Sequence, residues 1–193
     1  MIPVPAGRVL DFGGGMGGTV AALKRRGHAT YAAVADQVAN SAQGVDRRFV
    51  GNLEDEAFRQ RMLAAEAPFD TILCLDVLEH LRDPWSVLGQ LVDGLRNEGT
   101  LVVSVPNVNY IGIVGPLLMR GSWELADSGP LDRTHLRWFT AESLRDMLQA
   151  AGLEVVMFKG TTAGKSALLN RLSLGLWERF FAVQYIAVGR KPA

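Results

Sequence analysis

The stretch VLDFGGGMGG, residues 9–18, concentrates residue types that can do chemistry: five glycines follow an apolar run that ends in one acid, Asp11. Backbone without side chains admits a ligand closely, which is how nucleotide-binding loops use glycine. The spacing fits two templates at once. Gly13, Gly15 and Gly18 match the G-x-G-x-x-G of dinucleotide sites, whereas Asp11, Gly13, Gly15 and Gly17 match acid-x-G-x-G-x-G. Charge separates them. A pyrophosphate over this loop and the following helix N-terminus would face Asp11 at about 4–6 Å, a repulsion on the order of 3 kcal/mol at an effective dielectric near 20. A cationic ligand reverses the sign. S-adenosylmethionine carries an ammonium and a sulfonium but no phosphate, so Asp11 favours it.

Further along, Glu79 and His80 follow the apolar run FDTILCLDV. They read either as a cofactor contact and proton-transfer pair or as a structural turn ahead of Asp83. In DRTHLRWF, His135 with Asp132 as an orienting partner has the make-up of a general base, because neutral imidazole accepts a proton near physiological pH. The same group also reads as salt bridges that pin a long loop, with Arg133 and Arg137 able to bind an anionic acceptor. His28, His80 and His135 are scattered along the sequence with no clustered His/Cys set, so no metal is expected. KGTTAGKS, residues 159–166, imitates a phosphate loop. Lys159 stands where that template requires glycine, and no later strand ends in a magnesium-holding acid, so Lys165 reads as a solvated loop residue.

These residues need a scaffold, and the hydrophobic pattern supplies one. Apolar runs alternate with helical periodicity, the signature of an α/β fold with a doubly wound, mostly parallel sheet covered on both faces. RVLDF, TYAAVAD ending at Asp36, RRFVGN, FDTILCLDV, GTLVVSVPN, LEVVMF and FAVQYIAVGR read as strands. GTVAALKRRG reads as a helix in which Val20 and Leu23 share a face, cations fill the last turn and Gly27 closes it. DPWSVLGQLVDGLRNEG reads as a helix capped by Asp83, with Pro84 in its first turn and Trp85, Leu88, Val92 and Leu95 along one side. TAESLRDMLQAAG reads as another, capped by Thr140 and stopped by Gly152, and a further helix is expected over residues 167–178.

Two connections break the rhythm. QVANSAQGVDR, after Asp36, is short and polar for a crossover helix. Residues 106–138 form a long stretch rich in Gly, Pro and aromatics, and Tyr110, Trp123 and Trp138 within it argue for order and for a pocket wall. Trp138 and Phe139 read best as core packing. The stretch is expected to serve as a lid or acceptor-binding insertion in a single domain, residues 1–193.

Composition narrows the classes. The length of 193 residues suits one domain with a full core. Twenty Lys and Arg balance twenty Asp and Glu, which gives no basic face for nucleic acid or acidic lipid. The single cysteine, Cys74, has no internal disulfide partner and reads as a small buried hydrophobe. No apolar run suffices for a membrane span and MIPVPAGRV lacks a signal-peptide pattern, so a cytoplasmic location is expected.

Taken in order, the motifs resemble those of the class I S-adenosylmethionine-dependent methyltransferases. VLDFGGGMGG resembles their first motif. FDTILCLDVLEHLRDPW resembles the strand-four segment of the small-molecule branch, close to the VLEHL pattern of ubiquinone-type O-methyltransferases. GTLVVSVPN resembles the next strand, and RTHLRWFTAESLRDMLQAAGLEV is similar to members associated with polysaccharide or sugar-modifying gene clusters. The resemblance runs over nearly the whole chain from Val9. It implies a Rossmann-like seven-stranded sheet whose last strand is antiparallel.

It also implies that S-adenosylmethionine binds and S-adenosylhomocysteine leaves. Asp11 would bind the methionine end, directly or through water, with backbone approach at Gly13, Gly15 and Gly17. Asp36 would take the ribose hydroxyls, Asn52 and Leu53 would lie by the adenine, and Asp76 and Glu79 would face the reacting end. Asn52 departs from the acid usual in the family, although its amide oxygen can accept from the adenine amino group. The implied reaction is methyl transfer to a small-molecule acceptor, a sugar or phenol, at oxygen before nitrogen, with His135, Asp132 and His80 as the catalytic set. Family members carry helices before strand one, where this sequence has about eight residues, so the 106–138 stretch, a partner chain in a homodimer or a longer protein is expected to cover the site. Two other classes stay open: a non-catalytic binding or regulatory module on the same fold, and an NAD(P)-dependent oxidoreductase.

Overall fold

A computed structural model describes residues 2–162 and 177–193. Seven strands run in chain order: β1 (Gly7–Phe12), β2 (Ala29–Asp36), β3 (Arg47–Val50), β4 (Phe69–Leu75), β5 (Leu95–Pro106), β6 (Glu154–Thr161) and β7 (Gln184–Arg190). They form one sheet in the order β3-β2-β1-β4-β5-β7-β6. The pairs from β3 to β5 are parallel, and β7 is antiparallel to both β5 and β6. This is the doubly wound, mostly parallel sheet with an antiparallel last strand that the sequence implies. The helices are α1 (Gly18–Arg25), α2 (Glu56–Glu66), α3 (Pro84–Asp93), α4 (Ile111–Arg120), α5 (Ala141–Ala150) and α6 (Glu178–Phe181). Lys165 and most of the helix expected over 167–178 lie outside the described residues.

The central strands are apolar throughout because both their faces are covered. Alternation still decides which face each residue serves. Leu10, Phe12, Ile72 and Cys74 join Leu88, Leu91, Leu144 and Leu148 on one side. Val9, Val34, Leu73 and Val102 join Val20 and Val188 on the other. Cys74 is fully buried, and that burial pushes its thiol well above the usual range.

The structure departs from the sequence pattern at four places. Helix α2 had no expectation. Its apolar face is short, with Phe58 and Met62 buried, and its amino end is set by the Asp55 carboxylate accepting from the Ala57 amide. In α3 the buried stripe passes through Val87, Leu88, Leu91 and Val92, so Trp85 faces solvent and Leu95 begins β5 instead of ending the helix. Residues 106–138 contain α4, whose interior Pro116 masked it in the sequence. Trp138 is exposed where core packing was expected, whereas Phe139 is buried as expected.

The connection over residues 37–46 contains no helix, as its polarity implies. Hydrogen bonds tie it down instead: Ala42 N to Met16 O at 2.7 Å, Asp46 N to Ala32 O at 2.8 Å, and the Arg48 guanidinium to Ser41 Oγ, Val38 O and Gly15 O. A short loop thereby holds position beside the glycine turn.

The reassigned face of α3 is open to test. Leu88→Ala should lower stability by about 2–5 kcal/mol, while Trp85→Ala should stay within roughly 1 kcal/mol, both read from urea unfolding midpoints. A larger loss from Trp85→Ala would return Trp85 to the core.

Candidate active site

The carboxyl ends of β1, β2 and β4 meet at one edge of the sheet, where ligands of such folds collect. Asp11 near the end of β1 pairs in register with Val34 of β2 and Leu73 of β4. The chain then turns sharply. Gly13, Gly15 and Gly17 all have positive φ, and Gly17 opens α1. A Cβ at Gly13 would lie 2.4 Å from Val77, and one at Gly14 would lie 2.4 Å from the Asp11 carboxyl carbon. Gly15 faces open space, and its amide donates to Asp36 Oδ2 at 2.8 Å. Asp11 itself is buried beneath this turn. Desolvation, helped by the Asp36 charge, raises its pKa to about 7.

A cavity of about 470 Å³ opens beside the turn. Gly13, Asp36, Asn52, Leu53 and Asp76 all border it, so most of the cofactor set implied by the sequence converges. Asp11, Gly15 and Gly17 do not border it. Asp36 accepts from the Gly15 and Val38 amides, which leaves lone pairs on both oxygens. Asn52 uses its side-chain oxygen to accept from the Glu54 amide at 3.0 Å. Gln37, Glu54 and Arg82 border the same cavity and were passed over in the sequence. Glu54 is an acid just past β3, accepting from the Arg82 amide and pairing with its guanidinium at 3.5 Å.

A second cavity, about 480 Å³, shares Asp76 and His80 with the first and is otherwise lined in part by Glu79, Pro130, Asp132, His135 and Gln184. Glu79, expected at the cofactor, therefore lies on this second side. Asp76 has φ of 55°, a left-handed conformation that non-glycine residues adopt at a cost. Its Oδ1 accepts from Ser104 Oγ at 3.0 Å and from Gln184 Nε2 at 2.6 Å. Ser104 and Gln184, like Pro130, carried no motif signal.

His135 does not use Asp132 as its orienting partner. Its Nδ1 meets the Pro130 carbonyl at 3.2 Å, while Asp132 Oδ1 accepts from the Thr134 amide and hydroxyl at 2.8 and 2.6 Å. A backbone carbonyl accepts only, so Nδ1 carries the proton and Nε2 is left as an acceptor. Burial lowers the His135 pKa, which keeps the ring neutral. His80 Nδ1 faces both the Thr134 hydroxyl at 3.1 Å and the Thr134 carbonyl at 3.3 Å. The two rings stand edge to face with centroids 4.7 Å apart.

The expectation of scattered histidines is thus corrected: ligand-capable atoms of Glu79, His80 and His135 all lie within 4.8 Å of one another. The fold closes a gap of more than fifty residues because the Glu79 carbonyl accepts from the Leu136 and Arg137 amides at 2.7 and 3.0 Å. Both Glu79 carboxylate oxygens are buried without a hydrogen-bond partner, and desolvation followed by the Asp76 charge raises its pKa to about 8.

Of the two arginines, only Arg133 forms a salt bridge among the described residues. Arg133 pairs with Asp127 at 2.8 Å, and Arg137 donates to the Arg82 carbonyl and lies over Trp85. Neither borders the second cavity, and neither do Tyr110, Trp123 or Trp138. Trp123 and Trp138 pack on each other at 5.9 Å. From residues 106–138, the lining comes from Pro106, Ser128, Gly129, Pro130, Asp132 and His135.

A glycine turn over a buried acid, at the carboxyl edge of a sheet in this strand order, defines a class I, Rossmann-like S-adenosylmethionine-dependent methyltransferase domain. A family model described as a methyltransferase domain matches residues 3–157, and the chain belongs to that family. It is 32% identical over 109 residues to a ubiquinone biosynthesis O-methyltransferase of Xylella fastidiosa, an alignment covering 55% of this chain and 44% of that protein. The chain thus spans less than half the length of that relative. In fold it resembles an S-adenosylmethionine-dependent methyltransferase of Archaeoglobus fulgidus, with a TM-score of 0.63, 16% identity and coverage of 95% and 86%. It also resembles the magnesium protoporphyrin IX methyltransferase of Synechocystis with bound S-adenosylhomocysteine, with a TM-score of 0.61, 16% identity and coverage of 95% and 74%. No helix among the described residues is long and apolar enough to cross a membrane.

Asp11 gives the site a pH signature. Its proton is held more tightly in the folded protein than in the unfolded chain, so its ionisation lowers stability as pH rises from about 4 to about 7. Asp11→Asn should therefore raise the urea midpoint more at pH 8 than at pH 5. An equal change at both would mean that Asp11 ionises normally.

Proposed function

We infer that this domain binds S-adenosylmethionine in the first cavity and transfers its methyl group to a small-molecule acceptor in the second, at oxygen in preference to nitrogen. The carrying observation is the shared wall. Asp76 and His80 border both cavities, so the ends of two ligands meet there. When bound, the cofactor supplies a methyl carbon already attached to a good leaving group. The protein's task is then positioning and proton removal.

The residues divide that work. The turn at Gly13 admits the cofactor closely, and Asp36 offers acceptor lone pairs to neighbouring hydroxyls. Asp11 lies beneath as a counter-charge for a cationic ligand. Asp76, locked by Ser104 and Gln184, fixes the boundary between cavities. The His80–His135 pair assists loss of an acceptor hydroxyl proton, with neutral His135 presenting Nε2. The name of the Xylella relative supports a phenolic acceptor. A sugar hydroxyl fits the same chemistry. The 106–138 stretch acts as the acceptor-side cover within one domain, since its segment from Ser128 to His135 lines the second cavity.

Calorimetry tests the reading. Asp36→Ala should weaken S-adenosylmethionine binding at least about tenfold, the loss of one or more charge-assisted hydrogen bonds. Binding near pH 6 should release up to one proton, because a cation favours ionised Asp11; the observed heat should then vary with the ionisation heat of the buffer, and Asp11→Asn should remove that variation. Tight reduced-nicotinamide binding with no S-adenosylmethionine uptake would overturn the assignment. Cofactor binding without S-adenosylhomocysteine release across phenols and sugars would leave a binding module.

A further inference from the structure

We propose that Arg145, Arg179 and Tyr185 form a binding site for a phosphate-like oxyanion, either free phosphate or the phosphate group of a small monoester, in a cleft between α5, α6 and the β6–β7 edge. The cleft has a volume of about 160 Å³, below the roughly 300–1,000 Å³ of sites for drug-sized ligands, so it suits one compact group. It shares no lining residue with the two cavities of the active site. The site goes beyond the methyl-transfer reading and does not depend on it.

Three observations meet in this cleft. The first is an orphaned donor. Tyr185 is 2% exposed, and its hydroxyl is buried without a hydrogen-bond partner. Buried tyrosine hydroxyls ordinarily find one. The ring packs on Phe158 with centroids 5.2 Å apart, which holds the side chain against the cleft. Burial, followed by the Glu178 charge, raises the pKa of the hydroxyl, so it keeps its proton and stays a donor.

The second is a pair of arginines without acids. Arg145 of α5 and Arg179 of α6 border the same cleft, and neither forms an ion pair among the described residues. Both act on the Tyr185 hydroxyl as nearby positive charges. Each guanidinium lies on a ring: Arg145 over Phe158 at 3.8 Å, and Arg179 over Phe180 at 4.8 Å. Stacking uses the flat face of the group and leaves its edge N–H donors for an anion.

The third is the charge of the lining. Among the described residues Glu178 is the one acid there, and its Oε1 accepts from the Gly160 amide at 3.0 Å. Gly160 makes room for it, because a Cβ at that position would lie 2.7 Å from the same oxygen. Two guanidinium charges against one tethered carboxylate leave the cleft net positive. The three donors come from three elements, α5, α6 and β7. A tetrahedral oxyanion offers an oxygen to each, where a carboxylate offers two.

The test uses the full chain in chloride buffer, titrated with sodium phosphate at constant ionic strength and followed by melting temperature. Binding to the folded state alone should give a saturable rise. Phosphate also stabilises folded chains by exclusion from their surface, so the variants decide. Arg145→Gln and Arg179→Gln should each move the midpoint at least about fivefold to higher phosphate, while Arg61→Gln, on α2, leaves it unchanged. Tyr185→Phe should move the midpoint about threefold or more, yet leave the phosphate-free melting temperature equal or higher, because the deleted hydroxyl had no partner. A hydroxyl that served only the fold would give the reverse pattern and would remove Tyr185 from the site. If Tyr185→Phe fails to fold, the two exposed arginines carry the test. Glycerol 3-phosphate, titrated alongside, separates the sources: tighter binding of the ester assigns the site to phosphorylated metabolites, and tighter binding of inorganic phosphate assigns it to the free ion. A rise that never saturates, one that is equal in wild type and both arginine variants, or one matched by acetate would overturn the proposal.

Discussion

The site is organised around a carboxylate kept out of water. Asp11 sits at the end of a central strand, covered by the turn that follows, and any side chain at Gly14 would collide with it. Burial disfavours its charge, and the neighbouring Asp36 disfavours it further. The fold accepts this arrangement because the strands on both sides fix the main chain. Asp11 is in register with β2 and β4, and Gly13 N is bonded to Ala35 O at 2.8 Å. A destabilised acid beneath a bare turn is a poor element of a core and a good element of a cation site, the trade that functional sites often make.

The antiparallel strand supplies the other half. Because β7 runs against β5, its first residue lies at the carboxyl edge, where Gln184 pairs in register with Pro106. Gln184 reaches Asp76 from there, and Ser104 reaches it from β5. Three strands thus hold one strained residue between two cavities. The Glu79 carbonyl adds the loop, since two amides of the 135–137 segment converge on it. Residues far apart in sequence meet there through backbone hydrogen bonds, so side-chain identity is left free for chemistry.

That division explains what the sequence discloses. Strands and capped helices are written in local periodicity and in residues such as Asp83, Thr140 and Gly27, so they are legible. The glycine turn and Asp36 are legible because their chemistry is contiguous with strand ends. Helix α2 is not, since Phe58 and Met62 are its only buried apolar residues and the third buried residue, Arg59, is charged. The grouping of Glu79, His80 and His135 is illegible because no spacing rule relates residues joined only through a loop docked on a carbonyl. Asp132 misled for a related reason: it sits at the right spacing from His135, but the shorter reach to Thr134 wins.

The electrostatic preference for a cation also gains a sharper cause. With a pKa of about 7, Asp11 is partly protonated near neutrality, so the repulsion toward a pyrophosphate expected from a full charge is reduced. Asp36 acts more directly. A phosphate-binding turn offers its amides to the anion, whereas here the Gly15 amide is already donated to the Asp36 carboxylate, and Arg48 is held on the Gly15 carbonyl. An incoming pyrophosphate would have to displace one anion to reach the donor it needs, while hydroxyls approaching Asp36 find free lone pairs. The preference therefore resides in how the turn's donors are spent as well as in the charge beneath it.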